Sequence, residues 1–368
     1  MVDPDPISAS DAIRKKQKLK IVLTTIGESL VRFFKERITE RIGERPSYIS
    51  ISDVNAKEIG TSKSKVFLVT YYLSSDCGDQ EVNLVVKFSA NEERYYKEIA
   101  NYKLFSDVPQ RHPGIYMPLI VYKSPTNHCI IYEGVSGKNF RESKLDKNFK
   151  HNLAGQTLSA IHGMEKGIID SDPYKKLVLY LISTFDSPEI EETILDLILP
   201  SLRSLEKSQG STTIHGDFHQ GNILFSSEII DNSKQETSKV PPKIKTFFID
   251  PEFAMSGRDR CEDIGTFFAK PTIIEFRKYQ TVDDTKKNLI AFLKGYDHIL
   301  TQMKAGYGLI DLYPSKLTID FHIASFILYD ISTQVHNKKR NIDSKEIQED
   351  LKLLKIILKE KPFQGILK

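Results

Sequence analysis

The sequence has few cysteines, no long apolar run and almost no net charge, and each shortage excludes a class of protein. Its three cysteines, Cys77, Cys129 and Cys261, are scattered without CxxC spacing. This excludes a disulfide framework and a cysteine-rich zinc site, and it fits a reducing cytosol. No apolar run approaches the roughly 20 residues of a membrane helix, and the polar start lacks the apolar core of a signal peptide. The 52 basic and 49 acidic residues leave a net charge of +3, which argues against a dedicated nucleic-acid-binding protein.

The chain of 368 residues is long enough for two lobes, because single hydrophobic cores stop growing at roughly 250–300 residues. We predict a flexible tail over residues 1–16, an N-terminal lobe over 17–133 and a mainly helical C-terminal lobe over 134–368. Within the C-terminal lobe, the polar segment 226–244 is unable to build a core, so we expect a mobile loop or a loose hairpin there. A ligand cleft is expected between the lobes.

Hydrophobic periodicity predicts the elements of the N-terminal lobe. Apolar residues recur every fourth position over 18–43, which predicts a helix. The β-branched and aromatic run 65–73 and the alternating run 81–88 predict a hairpin of two strands. A helix over 92–105 and a strand over 128–132 follow. The lobe is therefore predicted to be an antiparallel sheet accompanied by helices.

Two short segments carry the strongest chemical signal, namely HGDFHQGN at 215–222 and FIDPE at 248–252. Phosphoryl transfer to a hydroxyl needs a carboxylate that accepts the proton and oxygen ligands for one or two Mg²⁺ ions. In the kinase arrangement, one loop supplies a catalytic Asp and a metal-binding Asn, and a later Asp also binds metal. Asp217, Asn222 and Asp250 occur in this order and spacing.

These segments resemble the aminoglycoside phosphotransferase and choline kinase-like family of small-molecule kinases, whose catalytic motif has the form H-x-D-x-x-x-x-N. The resemblance extends from about residue 50 to 330. It implies an α+β, protein-kinase-like two-lobed fold, with an N-terminal antiparallel-sheet lobe and a mostly helical C-terminal lobe. It also implies that ATP and Mg²⁺ are cofactors, that Asp217 is the catalytic base, that Asn222 and Asp250 bind Mg²⁺, and that Glu252 supports the metal.

Residues of the N-terminal lobe fit the same chemistry. Lys87 lies on the alternating strand, on the face opposite Val86, and Glu98 lies on the next helix. Kinases hold a lysine on the α- and β-phosphates by pairing it with a helix glutamate, so we predict this pair. The alternative is a solvated lysine on an edge strand and a solvated helix carboxylate. Gly60 and Ser62 lie between two strand-like runs and are predicted to approach the nucleotide phosphates, with a simple hairpin turn as the alternative.

The run IIYEGV matches the connection between kinase lobes, and the resemblance implies that backbone groups near Tyr132, Glu133 and Val135 bind adenine. The resemblance further implies that Asp263 ties the catalytic loop by hydrogen bonds. The alternative for Asp263 is a helix N-cap. His162 is predicted to be a packed or hydrogen-bonded histidine and not a catalytic one.

The acceptor is predicted to be a small hydroxyl compound, first of all a methylthioribose-like sugar, because the run DPEFA at 250–254 most resembles methylthioribose kinases. Two departures weigh against methylthioribose itself. Asn222 stands where those enzymes typically have serine, and the predicted helix 319–335 lacks their paired arginines. Choline, ethanolamine and aminoglycosides therefore stay open, although the basic segment 352–368 disfavours a cationic acceptor.

Other classes of function fit the sequence less well. A protein kinase carries Arg where Gly216 stands, together with a long activation segment. A metal-dependent phosphoesterase could use His215, Asp217 and His219 as ligands, but such enzymes also need an upstream D-x-H and a downstream G-N-H. No D-x-H precedes residue 217, and Gly221-Asn222 is followed by Ile223. A non-catalytic nucleotide-binding scaffold has no support, because the whole catalytic set is present. We expect an enzyme whose partners are a nucleotide and a small metabolite, not a nucleic acid or a membrane.

Overall fold

The computed structural model of the protein describes residues 29–59, 65–163, 172–183, 191–192, 195–200, 211–227, 244–303, 316–336, 339–364 and 366. Contacts between Cα atoms divide the chain into two units. The first unit comprises Met1–Tyr96 and Pro118–Val135, and the second comprises Lys97–Met117 and Ser136–Lys368. No helix within the described residues combines the length and the apolar character that a membrane span requires.

The described chain alternates short strands with helices. The strands are β1 (Ile49–Glu58), β2 (Lys65–Ser75), β3 (Gln80–Phe88), β4 (Ile115–Tyr116), β5 (Ile120–Ser124), β6 (Cys129–Glu133), β7 (Lys138–Asn139), β8 (Ser211–Ile214), β9 (Ile223–Ser227), β10 (Ile244–Phe248) and β11 (Met255–Asp259). The helices are α1 (29–42), α2 (Glu92–Leu104), α3 (Val108–Arg111), α4 (Lys147–His162), α5 (Asp172–Ile182), α6 (195–200), α7 (Cys261–Tyr279), α8 (Asp283–Met303), α9 (Lys316–His336) and α10 (Lys345–Glu360).

The first unit is built on an antiparallel sheet with the strand order β1-β2-β3-β6-β5. The predicted hairpin is confirmed, because β2 pairs with β3 along the whole of β3. Leu30, Phe34 and Ile38 of α1 recur every fourth residue and complete the apolar core of this sheet. The helix predicted over 18–43 is thus confirmed over 29–42, and its first part lies outside the described residues.

The second unit contains a four-stranded sheet with the order β4-β10-β9-β7 and a separate pair formed by β8 and β11. β9 and β10 are antiparallel, with Ile223 opposite Phe248 and Ser227 opposite Ile244. Of the two alternatives predicted over 226–244, the pairing at its edges fits the hairpin, and partly buried Ile244 packs on the core there. The segment 228–243 lies outside the described residues.

The helices supply most of the core of the second unit, which confirms the prediction of a mainly helical C-terminal region. α4 packs against α8, and α7 packs against α9 and α10. The crossing of α4 and α8 is very close. A Cβ atom at Gly155 would lie 1.9 Å from the carbonyl oxygen of Phe292, and one at Gly295 would lie 1.9 Å from that of Asn152. Glycine at both positions lets the backbones meet, and this contact fixes the end of α4 that carries His162.

Candidate active site

The catalytic loop, defined as residues 215–222, connects β8 to β9 and is anchored by the buried His215 side chain. The imidazole donates a hydrogen bond from Nε2 to the carbonyl oxygen of Ile249, over 3.0 Å. Its ring stacks on Phe105, with centroids 6.5 Å apart and planes 14° from parallel, and it meets the rings of Phe218 and Phe248 edge-on. Burial lowers the pKa of His215, so a neutral ring holds the start of the loop in place.

A buried carboxylate on α7 fixes the same loop through its backbone. The two oxygens of Asp263 accept the amide hydrogens of His215, at 2.7 Å, and Gly216, at 2.9 Å. His162 donates from Nε2 to Asp263 over 3.1 Å, and its Nδ1 accepts from the Tyr296 hydroxyl over 2.8 Å. This confirms the predicted tie between Asp263 and the loop, and it confirms that His162 is a hydrogen-bonded structural histidine. The alternative N-cap is wrong, because the cap of α7 is Arg260.

The ionisation of this pair follows from burial and from its hydrogen bonds. Burial lowers the pKa of His162, which favours the neutral imidazole. Burial alone raises the pKa of Asp263, but the hydrogen bonds from the His162 imidazole and from the amide of His215 bring that pKa below its usual value. The arrangement is therefore a neutral histidine that donates to an ionised carboxylate, with the tautomer set by Tyr296.

The turn at Gly216 requires glycine. Its φ angle is +79°, and a Cβ atom there would lie 2.2 Å from the carbonyl oxygen of Phe253. Residues with a side chain rarely adopt this backbone conformation, and the neighbouring backbone oxygen leaves no space for one. The catalytic loop thus passes directly against Pro251–Phe253, the short helical turn that follows β10.

Asp217 follows this turn and is the one carboxylate of the loop. Burial and then the negative charge of Asp250 raise the pKa of Asp217 to about 7, against the lowering effect of a hydrogen bond from Asn222. The Asn222 amide nitrogen donates to the main-chain carbonyl of Asp217 over 2.9 Å and to its Oδ2 over 3.3 Å. The Asp217 side chain is 34% exposed, so one side of this held carboxylate faces solvent.

His219 is a third member of the loop that faces Asp217. Its Nδ1 accepts the amide hydrogen of Gly221 over 2.9 Å, so its proton is carried on Nε2. That Nε2 lies 3.7 Å from Oδ2 of Asp217. The sequence pattern pointed to His219 only as a phosphoesterase ligand, whereas the structure places its N–H group beside the predicted base.

The hairpin of β9 and β10 brings Asn222 and Asp250 to the same edge of the sheet. The amide of Ile249 donates to the carbonyl oxygen of Asn222 over 3.0 Å, immediately beside the pairing of the two strands. Asp250 has φ 61° and ψ 59°, the left-handed conformation. Such strain in a residue other than glycine is characteristic of functional positions, and Asp tolerates it better than most residues.

Asn101 of α2 holds the turn after Asp250 from the other side. Its amide nitrogen donates to the carbonyl oxygens of Pro251, at 3.2 Å, and Glu252, at 2.9 Å. Glu252 is itself buried, with 9% of its surface exposed. The predicted metal residues Asp250 and Glu252 are thus positioned by a helix far away in sequence, a contact that no local pattern of the sequence indicates.

The oxygen donors of this region fit a magnesium ion that shares its coordination with a nucleotide. The side-chain nitrogen of Asn222 bonds to Asp217. Its side-chain oxygen, Oδ1, is therefore the atom that Asn222 can offer to a cation. The charge of Asp250 already acts on Asp217, and a cation would relieve this repulsion. Within the described ranges, no three His, Cys, Asp or Glu side chains form a complete metal cluster. Mg²⁺ in kinases needs few protein ligands, because waters and phosphates complete its shell.

A cavity of about 640 Å³ opens beside Asp217 in the second unit. It extends from the catalytic loop along α7 to α9. Its apolar wall includes Phe326 and Tyr329, and its basic side chains are Arg141, Lys270, Arg277 and Arg340. The sequence analysis missed these basic residues, because they come from separate segments and only the fold brings them together. The arginines that were sought on α9 are indeed absent, and these side chains line the cavity instead.

The predicted nucleotide residues belong mostly to the first unit. Lys87 lies on β3, a central strand, and only 6% of its surface is exposed, so the alternative of a solvated lysine on an edge strand is wrong. Glu98 lies on α2 in the second unit and is 2% exposed, so the alternative of a solvated carboxylate is also wrong. Their pairing stays a prediction. Gly60 and Ser62 lie outside the described residues.

The predicted adenine-binding run begins in β6. The amide of Glu133 donates to the carbonyl oxygen of Leu119, and the amide of Gly134 donates to that of Asn83, each over 2.9 Å. The Glu133 side chain forms an ion pair with Arg37. These two amides are therefore already used within the first unit, and the backbone of Val135 is the next available segment.

No protein-family model and no curated protein sequence matches the chain. Among solved structures, the chain is similar to the ADP-bound aminoglycoside phosphotransferase APH(2'')-Ib, with 15% identity over 88% of this chain and 96% of that chain, at a TM-score of 0.46. It is similar to the choline kinase LicA from Streptococcus pneumoniae, with 12% identity over 89% of this chain and 98% of that chain, at a TM-score of 0.47. It is also similar to a choline/ethanolamine kinase family protein from Mesorhizobium loti, with 11% identity over 87% of this chain and 99% of that chain, at a TM-score of 0.48. At such identities and scores, function is inferred from the residues of the site.

Proposed function

We propose that the protein transfers the γ-phosphoryl group of ATP to a hydroxyl of a small metabolite, with Mg²⁺ as its metal cofactor. The observation that carries the proposal is the environment of Asp217. Its carboxylate is held by Asn222, faces the N–H group of His219 and lies at the end of a cavity of about 640 Å³. A hydroxyl bound in that cavity would reach a positioned base, which is the requirement for this reaction.

Asp217 acts in this proposal as the base that orients the acceptor hydroxyl and takes its proton. Without a bound cation, burial and the charge of Asp250 raise the pKa of Asp217 to about 7. A cation at Asp250 would lower this pKa and so favour the ionised carboxylate that a general base requires. The hydrogen bond from Asn222 fixes one face of the carboxylate, and the anchored His215 and Gly216 fix the backbone beneath it. Positioning by a rigid loop supplies much of the rate in phosphoryl transfer.

Asn222 and Asp250 would hold the metal, and Glu252 would support it. When bound, Mg²⁺ neutralises the charge on the phosphate oxygens. In the protein itself, the hairpin pairing and Asn101 set the positions of these oxygen donors. The left-handed backbone of Asp250 aims a carboxylate at one defined point, because the residues on both sides of it are fixed by hydrogen bonds.

The residues predicted from the sequence to hold the nucleotide keep these roles in the proposal. Lys87 would contact the α- and β-phosphates and Glu98 would position it, which their burial supports because a buried charge needs a partner. Gly60 and Ser62 would approach the phosphates. Tyr132, Glu133 and Val135 would contact adenine through backbone groups of this segment.

The acceptor is proposed to be a sugar-like compound, as the DPEFA run suggests, with choline, ethanolamine and aminoglycosides as the alternatives in the same reaction class. A phosphoesterase fits less well. It would need His215 as a metal ligand, but this ring is fully buried, and its Nε2 already donates to the carbonyl oxygen of Ile249.

The decisive experiment combines an ATP-consumption screen with an Asp217→Asn variant. Sugars, amino alcohols and aminoglycosides are supplied one at a time with Mg²⁺ and ATP. We expect one class to be consumed, with turnover reduced by at least about 100-fold in the variant and with the dissociation constant of ATP unchanged. Full activity of Asp217→Asn would show that this residue is not the base. A flat screen with intact ATP binding would favour a nucleotide-binding scaffold.

A further inference from the structure

The cavity beside Asp217 carries more positive than negative charge. Four of its lining side chains are basic, namely Arg141, Lys270, Arg277 and Arg340, whereas two are acidic, namely Asp217 and Asp330. The chain as a whole is nearly neutral, at +3, so what each of these basic side chains contributes depends on whether it is paired within the protein. Because the acceptor hydroxyl must reach Asp217, the remainder of the acceptor lies among these charges.

Two of the four basic side chains are already neutralised by carboxylates. Arg277 forms a two-point ion pair with buried Asp350. Arg340 pairs with Glu346 and also donates to Gln334 over 2.9 Å. These arginines shape the far end of the cavity, but their charge is largely used within the protein.

Arg141 and Lys270 are different. In the described part of the chain, neither has a carboxylate within ion-pair distance, and both are exposed. Arg141 follows β7 and Lys270 lies on α7, so separate elements present the two charges to one cavity. Both lie close to the catalytic loop. After burial and His215, the positive charges of Lys270 and Arg141 lower the pKa of His219, while Asp250 raises it.

An unpaired arginine and an unpaired lysine beside a base repel a cationic acceptor and attract an anionic one. The planar guanidinium of Arg141 matches a carboxylate or phosphate with two parallel hydrogen bonds, and the ammonium of Lys270 adds a point charge. The apolar wall formed by Phe326 and Tyr329 offers a surface to a carbon skeleton or a sugar ring. The cavity thus combines two exposed basic side chains, an apolar wall and the carboxylate of Asp217.

Resting on the proposed phosphotransfer, we infer that the acceptor carries an anionic group, a phosphate ester or a carboxylate, which Arg141 and Lys270 bind while its hydroxyl faces Asp217. The substrate class is therefore an anionic hydroxyl compound such as a sugar phosphate or a hydroxy acid. Choline, ethanolamine and aminoglycosides, which are cations, would be repelled by Arg141 and Lys270 and are therefore disfavoured as acceptors.

The test measures binding separately from turnover. The protein is saturated with Mg²⁺ and a non-hydrolysable ATP analogue, so that the phosphate positions of the nucleotide are occupied. D-ribose, D-ribose 5-phosphate, glycerol, glycerol 3-phosphate and choline are then titrated by calorimetry. We expect at least one phosphate ester to bind at least about tenfold more tightly than its neutral parent. Choline should bind more weakly than that ester. Equal binding of each ester and its parent, no binding of either ester, or tightest binding of choline overturns the inference.

Variants connect that binding to the two residues. Arg141→Gln and Lys270→Gln should each weaken binding of the phosphate ester by about tenfold. Arg141→Lys keeps the charge but loses the two parallel hydrogen bonds, so it should weaken binding less than Arg141→Gln does. Lys294→Gln, which changes an exposed lysine of α8 away from the cavity, is the matched control and should bind normally. If Arg141→Gln and Lys270→Gln weaken the ATP analogue and leave the ester unchanged, these cations serve the nucleotide and the inference is wrong.

The two proposals fail in different ways. Binding of a phosphate ester at Arg141 and Lys270 without ATP consumption for any anionic hydroxyl compound would contradict phosphotransfer and leave the anion site established. ATP consumption with a neutral or cationic acceptor, unaffected by Arg141→Gln and Lys270→Gln, would support phosphotransfer and overturn the anionic acceptor.

Discussion

The imidazole of His162 and the carboxylate of Asp263 meet over 3.1 Å with no exposed surface on either side chain. One is the last residue of α4 and the other lies near the start of α7. Through this contact, two helices of the core hold the backbone on which Asp217 is carried. The candidate base therefore depends on residues that never touch a substrate.

Replacing Asp263 by Asn should destabilise the protein and reduce activity together. All three groups that face the carboxylate are donors, namely the amides of His215 and Gly216 and the imidazole of His162. An amide NH₂ in that place leaves a donor facing a donor in a buried site, at a cost of about 2–4 kcal/mol. Urea unfolding measures the loss. Asp284→Asn, at a carboxylate that is 60% exposed, is the control and should leave stability within about 0.5 kcal/mol. Equal stability of the two variants would contradict the role of Asp263.

A pair of glycine variants separates backbone strain from steric collision. Gly216 and Gly257 have nearly the same positive φ, +79° and +77°, but a Cβ atom meets the Phe253 carbonyl oxygen at 2.2 Å only at Gly216. Gly257→Ala should therefore lose about 1–2 kcal/mol from conformation alone. Gly216→Ala should lose clearly more and should lose activity, because the catalytic loop must move. Similar stability and activity of both variants would show that the loop has room to adjust.

Asn101→Ala should weaken the apparent affinity for Mg²⁺ more than it weakens nucleotide binding. Asn101 donates to the carbonyls of Pro251 and Glu252, next to Asp250. Without these bonds the turn that positions Asp250 loosens, so the Mg²⁺ concentration for half-maximal activity should rise several-fold. Asn91→Ala is the matched control. Asn91 accepts a hydrogen bond from the amide of Arg94 at the start of α2, and the loss of this cap should lower stability by about 1 kcal/mol. If both variants respond equally to Mg²⁺, the effect comes from α2 as a whole.

Ionisation of buried Asp320 should lower the free energy of unfolding as the pH rises. Burial raises the pKa of Asp320 to about 7 from its ordinary 3.8, although the amide of Phe363 donates to its Oδ1 over 3.1 Å. The other oxygen, Oδ2, has no hydrogen-bond partner among the described residues. The folded state binds this proton more tightly than the unfolded state, so its stability contribution is complete below about pH 4 and is lost as the pH rises to about 7.

Urea unfolding between pH 4 and 8 checks this expectation against Asp320→Asn. Because the amide never ionises, the stability of the variant relative to the parent should increase with pH, by at most a few kcal/mol, since each pKa unit is worth about 1.4 kcal/mol. Asp217, whose pKa is also raised, is present in both proteins and cancels in the difference. Parallel stability curves would show that Asp320 does not ionise in this range.

The local patterns of the sequence predicted the elements and the loop that carries the base, because hairpins, amphipathic helices and a compact motif are encoded by neighbouring residues. The β2–β3 hairpin and the helix α2 follow from such patterns, whereas the tie from Asp263 to the loop is implied by the family resemblance. The contact of Asn101 with the turn at Pro251 follows from neither, because the two residues are joined only by the fold.

The charges of the cavity escaped prediction for the same reason. Arg141 and Lys270 are far apart in sequence and neither belongs to a motif, so each alone looks like an ordinary surface residue. The sequence analysis instead expected the basic segment 352–368 to disfavour a cationic acceptor. Lys352 of that segment donates to Gln280 and does not line the cavity. A conclusion about the sign of the acceptor's charge required the three-dimensional arrangement.

The hairpin of β9 and β10 offers a place for engineering. Asn222 and Asp250 flank one end of the paired strands, while the chain leaves and re-enters the sheet at Ser227 and Ile244 at the other end. Five residues of strand separate the two ends, a distance of roughly 16 Å. Since the ladder of hydrogen bonds fixes the register, a fluorescent reporter inserted after Ser227 would begin at that distance from the candidate metal donors, and the labelled enzyme could then be followed during catalysis.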